Sequence, residues 1–170
     1  MKNLISLSIL MLAGTLFLDA SSQAQSLEMS LSSGFIGISK NSTQYDLSPG
    51  IQYQLLPSVT WLTIGGEVGY QKISHDLGST KNFVVLAGPT FNIGPFNRDA
   101  VFVSIGFAYK NGSSDVASSG VDDPNGTGYY FLVGKRIPLG TNWCFRPSLG
   151  VESTGTSGMV FRPLAVGYYF

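Results

Sequence analysis

From Ala100 to Asn111 the chain reads AVFVSIGFAYKN, and its positions alternate without a break. Val101, Val103, Ile105, Phe107 and Tyr109 share one face, opposite Ala100, Phe102, Ser104, Gly106, Ala108 and Lys110. A period of two marks a strand whose faces meet different surroundings. Three more stretches alternate as cleanly. In Gln44 to Leu55, Tyr45, Leu47, Ile51, Tyr53 and Leu55 oppose Gln44, Asp46, Ser48, Gly50, Gln52 and Gln54. In Asn142 to Ser153, Trp143, Phe145, Pro147, Leu149 and Val151 oppose Cys144, Arg146, Ser148, Gly150 and Glu152. In the last stretch, Leu164, Val166, Tyr168 and Phe170 oppose Ala165, Gly167 and Tyr169. Val59–Ile73, Lys81–Ile93 and Tyr129–Ile137 follow the same rule, with Glu67 and Arg136 on their polar faces. Leu27–Ser39 begins in phase and slips near Ser32-Ser33-Gly34, where a bulge is expected.

The pattern predicts eight strands, and the connections arrange them. Leu56-Pro57-Ser58, Gly94 to Asp99 and Pro138 to Thr141 are tight and carry Pro or Gly. SHDLGST and NGSSDVASSGVDDPNGTG are longer and polar. Short turns at one end and longer loops at the other describe an all-β, eight-stranded antiparallel up-and-down transmembrane β-barrel with both termini at the short-turn end. Strand glycines such as Gly65, Gly66 and Gly69 read as bends in its wall.

Composition decides which face meets what. Only 12% of the 170 residues are charged, against roughly 25% in an ordinary soluble domain. The polar face is rich in Gly, Ser, Ala, Thr, Gln and Asn, which suits a narrow lumen filled by side chains better than a surface in water. The apolar face carries Tyr53, Tyr70, Tyr109, Trp143, Tyr168 and Phe170 near strand ends, where amphipathic rings meet lipid headgroups. Ten Lys+Arg balance ten Asp+Glu with no basic run, so nucleic acid is not an expected partner. The single Cys excludes a disulfide scaffold.

Residues 1–24 read as a cleaved signal peptide. Lys2 precedes an apolar run from Leu4 to Leu18, and Ser22-Gln23-Ala24 offers small residues where a signal peptidase cuts. The run falls short of the ~20 residues of a spanning helix. The barrel domain is expected over 25–170.

The alternating Leu164, Val166, Tyr168 and Phe170 at the C-terminus resemble the signal read by the outer-membrane barrel assembly machinery of Gram-negative bacteria. With the signal peptide and eight strands, the chain resembles the small OmpA/OmpX-like outer-membrane β-barrel superfamily. The resemblance implies a monomeric, non-enzymatic protein of the cell envelope, in contact with outer-membrane lipids and lipopolysaccharide. It also implies surface interaction through the outer loops, above all loop 111–127.

Chemical motifs are few. His75, beside Ser74 and Asp76, is the only His, and a base in a lipid A-modifying enzyme would have to be drawn from it. Sequence neighbours make no triad, so a solvated loop His is the expectation and no catalytic residue is assigned. Asp115, Asp122 and Asp123 lack calcium-loop spacing. No metal or cofactor is expected. The polar faces do place Asp46, Glu67, Lys110, Arg136, Arg146 and Glu152 in the lumen, three acids and three bases. A charge there is costly unless paired, and Glu67 and Arg146 are expected to meet across the barrel. Arg162 shares parity with Leu164 and is expected on the lipid face near the outer rim, within reach of a lipopolysaccharide phosphate. Two further alternatives are a narrow solute pore and a secreted lipocalin-like barrel. The direction of the apolar face of Ala100–Tyr109 separates the lipocalin-like reading from a membrane barrel.

Overall fold

The computed structural model describes residues 27–39, 42–56, 58–75, 78–96, 99–114, 125–154 and 156–170. The segment read as a signal peptide lies outside them. The strands are β1 (Leu27–Ser39), β2 (Ser42–Tyr53), β3 (Leu62–His75), β4 (Gly78–Ile93) and β5 (Ala100–Ser114). They continue with β6 (Gly126–Pro138), β7 (Trp143–Phe145), β8 (Ser148–Thr154), β9 (Thr156–Arg162) and β10 (Leu164–Tyr169). All pairings are antiparallel, and the ring closes where β1 meets β10 over Glu28–Ser33, while β9 pairs with β8 alone. β7 and β8 are two lengths of one stave, parted at Arg146 and Pro147. β9 and β10 are two lengths of another, parted at Pro163. The barrel therefore has eight staves, as the alternation predicts. Closure removes most of the sheet edge, so the wall satisfies most of its own backbone groups.

The faces are inverted relative to a barrel in water. Along β5, Val101, Ile105, Phe107 and Tyr109 are exposed, while Ala100, Phe102, Ser104 and Ala108 are buried. Most large apolar side chains point out and most of the described charged ones point in, the arrangement a lipid surround requires and the opposite of a lipocalin-like one. Rings gather at the short-turn end. Tyr168 packs edge-on against both Trp143 and Phe170, with centroids 4.9 and 4.8 Å apart. Glycines let the wall coil tightly: a Cβ on Gly65 would lie 2.2 Å from the Ile51 carbonyl oxygen.

Three sequence expectations are corrected here. Even-numbered residues of β1 face inward from Glu28 through Gly34, so no slip occurs near Ser32. The register shift lies between Gly37 and Ser39. Ser33 faces outward, and a small polar residue on the outer face imitated a change of phase. Most of SHDLGST is strand: Ser74 and His75 end β3, and Gly78 to Thr80 begin β4. Likewise Asn111–Ser114 belongs to β5 and Gly126 and Thr127 to β6. Backbone pairing continues there whatever the side chains. Asp76, Asp115, Asp122 and Asp123 lie outside the described residues.

The third correction concerns Arg162. Ser148 pairs with Arg162 and Phe145 pairs with Val166, so three steps on one stave face four on the other. That is a bulge at Pro163, a residue that cannot donate to the ladder. The extra residue reverses parity. Met159 and Phe161 point outward before it, Leu164 and Val166 after it, and Arg162 turns into the lumen with 4% exposure.

Candidate functional site

Eight of the twelve charged side chains among the described residues stand in the lumen. Asp46, Glu67, Lys110, Arg136, Arg146 and Glu152 all stand on inward positions. They join Arg162 and a residue absent from the sequence reading, Glu28. Together these are four acids and four bases, sorted into two levels.

The lower level is built around Glu28, which is fully buried on β1. Arg136 on β6 donates from Nε to Glu28 Oε2 at 2.9 Å and from Nη2 to Gln52 Oε1 at 2.6 Å. Its Nη1 donates to Asn92 Oδ1. Arg146 approaches the other carboxylate oxygen, Nε to Oε1 at 3.3 Å, and donates from Nη1 to Ser30 Oγ at 2.9 Å. One carboxylate thus serves two guanidinium groups. Phe102 helps with the remaining positive charge, lying 4.8 Å from Arg136 Cζ and 5.0 Å from Arg146 Cζ. Phe96, from the Gly94–Asp99 turn, lies 4.9 Å from Arg136 Cζ and packs edge-on against Tyr169. Beside it Cys144 is buried and free, a filler near the short-turn rim as its parity predicts. The polar contacts run on around the wall, from Gln52 Nε2 to Thr90 Oγ1 at 3.2 Å and from Thr90 to Ser104 at 2.7 Å.

Gly167 makes room for this cluster. A Cβ there would lie 2.7 Å from Glu28 Oε1 and 2.8 Å from Cys144 Sγ. Gly167→Ala is therefore expected to destabilise the barrel by about 1–3 kcal/mol, measured as the shift in urea midpoint at constant slope.

Val84, Leu86, Ala108, Tyr130, Leu132 and Val160 form an apolar patch inside the barrel, where Leu86 pairs with Glu67 and Tyr130 with Glu152. It fills volume that small polar residues alone would leave empty.

The upper level is centred on Arg162. Its Nη1 donates to Glu67 Oε2, and its Nε stands 3.7 Å from Asp46 Oδ2. Asp46 Oδ1 also accepts from the Gly34 amide at 3.2 Å. Glu152 accepts from Thr154 Oγ1 at 3.1 Å and borders, with Asp46, Gln71 and Arg162, a cavity about the size of one water. Lys110 faces the same interior and is in no ion pair among the described residues.

The expected Glu67–Arg146 contact is therefore not made. Arg146 turns down to Glu28, and Glu67 is taken by Arg162, which the Pro163 bulge delivers to its height. The expected lipopolysaccharide contact of Arg162 is overturned by the same geometry. Parity from Met29 and Leu31 puts Glu28 inside, in the part of β1 that precedes the expected slip, so the signal for it was present. Phe96 lies in a turn, where no periodicity points to it. Leu164, Val166 and Phe170 are exposed on the outer face of the closing stave and Tyr168 is half-buried there. The backbone of His75 ends β3 opposite Ser42 and Gly78.

No family model and no curated protein matches the chain. Solved structures share its fold. The outer-membrane protein Ail of Yersinia pestis, in a phospholipid bilayer nanodisc, aligns with a TM-score of 0.54 at 14% identity, covering 86% of this chain and 100% of that one. Ail in complex with the heparin analogue sucrose octasulfate aligns with a TM-score of 0.52 at 15% identity, covering 85% and 94%. A de novo designed transmembrane β-barrel aligns with a TM-score of 0.51 at 16% identity, covering 88% and 98%. The fold is that of an eight-stranded transmembrane β-barrel.

Proposed function

We propose that this chain is an integral outer-membrane protein of a Gram-negative bacterium, exported through a signal peptide cleaved after Ala24. In this reading it is a monomeric, non-enzymatic member of the OmpA/OmpX-like superfamily. It serves envelope structure or surface interaction through its outer loops, with 111–127 as the main contact. The carrying observation is the inversion of the wall: exposed Leu, Ile, Val, Phe and Tyr outside, four acids and four bases within. A strand with that pattern has no stable place in water. The two charged levels and the apolar patch occupy the lumen, which supports a structural or surface-interaction role over a solute pore. Leu164, Val166, Tyr168 and Phe170 are the proposed signal to the barrel assembly machinery.

Fractionation of cells expressing the full chain tests this. The mature protein is expected in the outer-membrane fraction, migrating faster on unheated gels than after boiling. Recovery as a soluble periplasmic monomer would refute it. Deleting Phe170 is expected to reduce insertion in cells severalfold while leaving refolding into purified lipid nearly unchanged; equal insertion of both chains would count against the assembly role.

A further inference from the structure

The geometry points to a phosphate-binding site for an outer-leaflet lipid headgroup on the outside of the barrel, made by Lys72 of β3 and Lys81 of β4. The inference rests on the outer-membrane reading and names one of its lipid contacts. The outer faces of these two strands can be read row by row. Leu62 pairs with Phe91, Ile64 with Pro89, Gly66 with Ala87, Val68 with Val85 and Tyr70 with Phe83. Trp61 stacks on Phe91 at the base, with centroids 6.3 Å apart. Five uncharged rows thus run from a Trp–Phe stack to a Tyr–Phe pair. The sixth row is Lys72 opposite Lys81, both exposed. Ten residues separate Leu62 from Lys72. At about 3.4 Å per residue and a tilt of about 40°, the two levels lie about 25 Å apart along the axis, the height of the apolar band in such barrels. The lysines therefore stand where hydrocarbon gives way to headgroups at the loop end.

Their pairing is unusual. Like charges directly opposite on neighbouring strands destabilise a sheet. Among the described residues, the only other charged side chains outside the lumen are Asp99 and Lys135, which pair at 3.3 Å at the short-turn end. No carboxylate among them answers Lys72 or Lys81. An anion from outside the chain would. Two ammonium groups on Cβ atoms about 5 Å apart can both donate to one phosphate, and the exposed Tyr70 and Phe83 in the row below offer a surface for acyl chain. A phosphorylated lipid fits this combination.

The test compares wild type with Lys72→Gln/Lys81→Gln, each refolded into phosphatidylcholine vesicles with and without diphosphoryl lipid A. The readout is the unfolding rate at fixed temperature, followed as loss of the compact band on unheated gels. Lipid A is expected to slow wild type about tenfold and the glutamine pair less than about threefold. In phosphatidylcholine alone the glutamine pair should unfold no faster than wild type, because the like-charge contact is gone. Lys72→Arg/Lys81→Arg should keep the slowing. Equal slowing of wild type and the glutamine pair would overturn the site, as would equal slowing by dephosphorylated lipid A, which would leave simple snorkelling. The same slowing by inorganic phosphate would overturn the lipid assignment. Wild type that inserts but is not slowed overturns the lysine site alone; wild type that inserts into neither vesicle overturns the membrane reading with it.

Discussion

Alanine at position 28 is expected to cost the folded barrel about 3–5 kcal/mol, measured by urea titration in phosphatidylcholine vesicles. The carboxylate of Glu28 is fully buried and holds two guanidinium groups at once, at 2.9 and 3.3 Å. Removing it leaves Arg136 and Arg146 buried with no carboxylate in contact with either among the described residues. Phe96 and Phe102 offset part of that, since a ring face near 5 Å from a guanidinium carbon contributes about 0.5–2 kcal/mol. They do not replace an anion. Glu28→Gln keeps the volume and one acceptor, so its loss should be smaller than that of Glu28→Ala. A cycle pairing Glu28→Ala with Arg136→Met should be non-additive by about 1–3 kcal/mol, because the second change removes a charge the first has stranded. A loss below about 1 kcal/mol for Glu28→Ala, the scale of a surface ion pair, would mean that water screens this level.

The parts of this fold that could be read from sequence are those governed by side-chain parity. Val101 to Tyr109 alternates because lipid faces one side and a packed lumen the other, and that contrast survives in every stave. It fixes eight staves, the inward direction of Arg136, Arg146 and Glu152, and the outward direction of the Leu164–Phe170 set. Parity carries no information about height or about which inward residues meet. Glu67 and Arg146 were expected to pair because their staves are opposite, yet barrel stagger places Arg146 beside Glu28 and leaves Glu67 to Arg162. Parity also fails wherever the ladder gains a residue. Pro163 marks that place for Arg162, and the signal is a proline inside an alternating run. Polar strand ends such as Ser74-His75 and Asn111–Ser114 look like loops because sequence patterns register side chains, while the ladder there is held by backbone bonds.

Arg162→Leu separates the two placements of this residue by sign as well as size. On the lipid face near a rim, an arginine costs about 0–1 kcal/mol, and leucine there would leave stability unchanged or raise it. In the lumen, Arg162 is the cation that Asp46 and Glu67 contact. Its loss leaves those two carboxylates with no cation in contact with them among the described residues, and Glu152 lines the same small cavity as Asp46. Breaking a fully buried pair costs about 3–5 kcal/mol. Asp46 and Glu67 keep 10% and 13% exposure, so some solvent screening reaches them. The expected destabilisation is therefore about 2–4 kcal/mol, read from urea midpoints of the refolded barrel. The same reasoning predicts a rescue. Adding Glu67→Gln to Arg162→Leu removes one of the stranded charges and should recover at least about 1 kcal/mol, although Glu67→Gln alone should destabilise the wild type. A leucine variant as stable as wild type would return Arg162 to the lipid face and the Pro163 bulge with it. A destabilised leucine variant without rescue would mean that the guanidinium acts through packing and not through its charge.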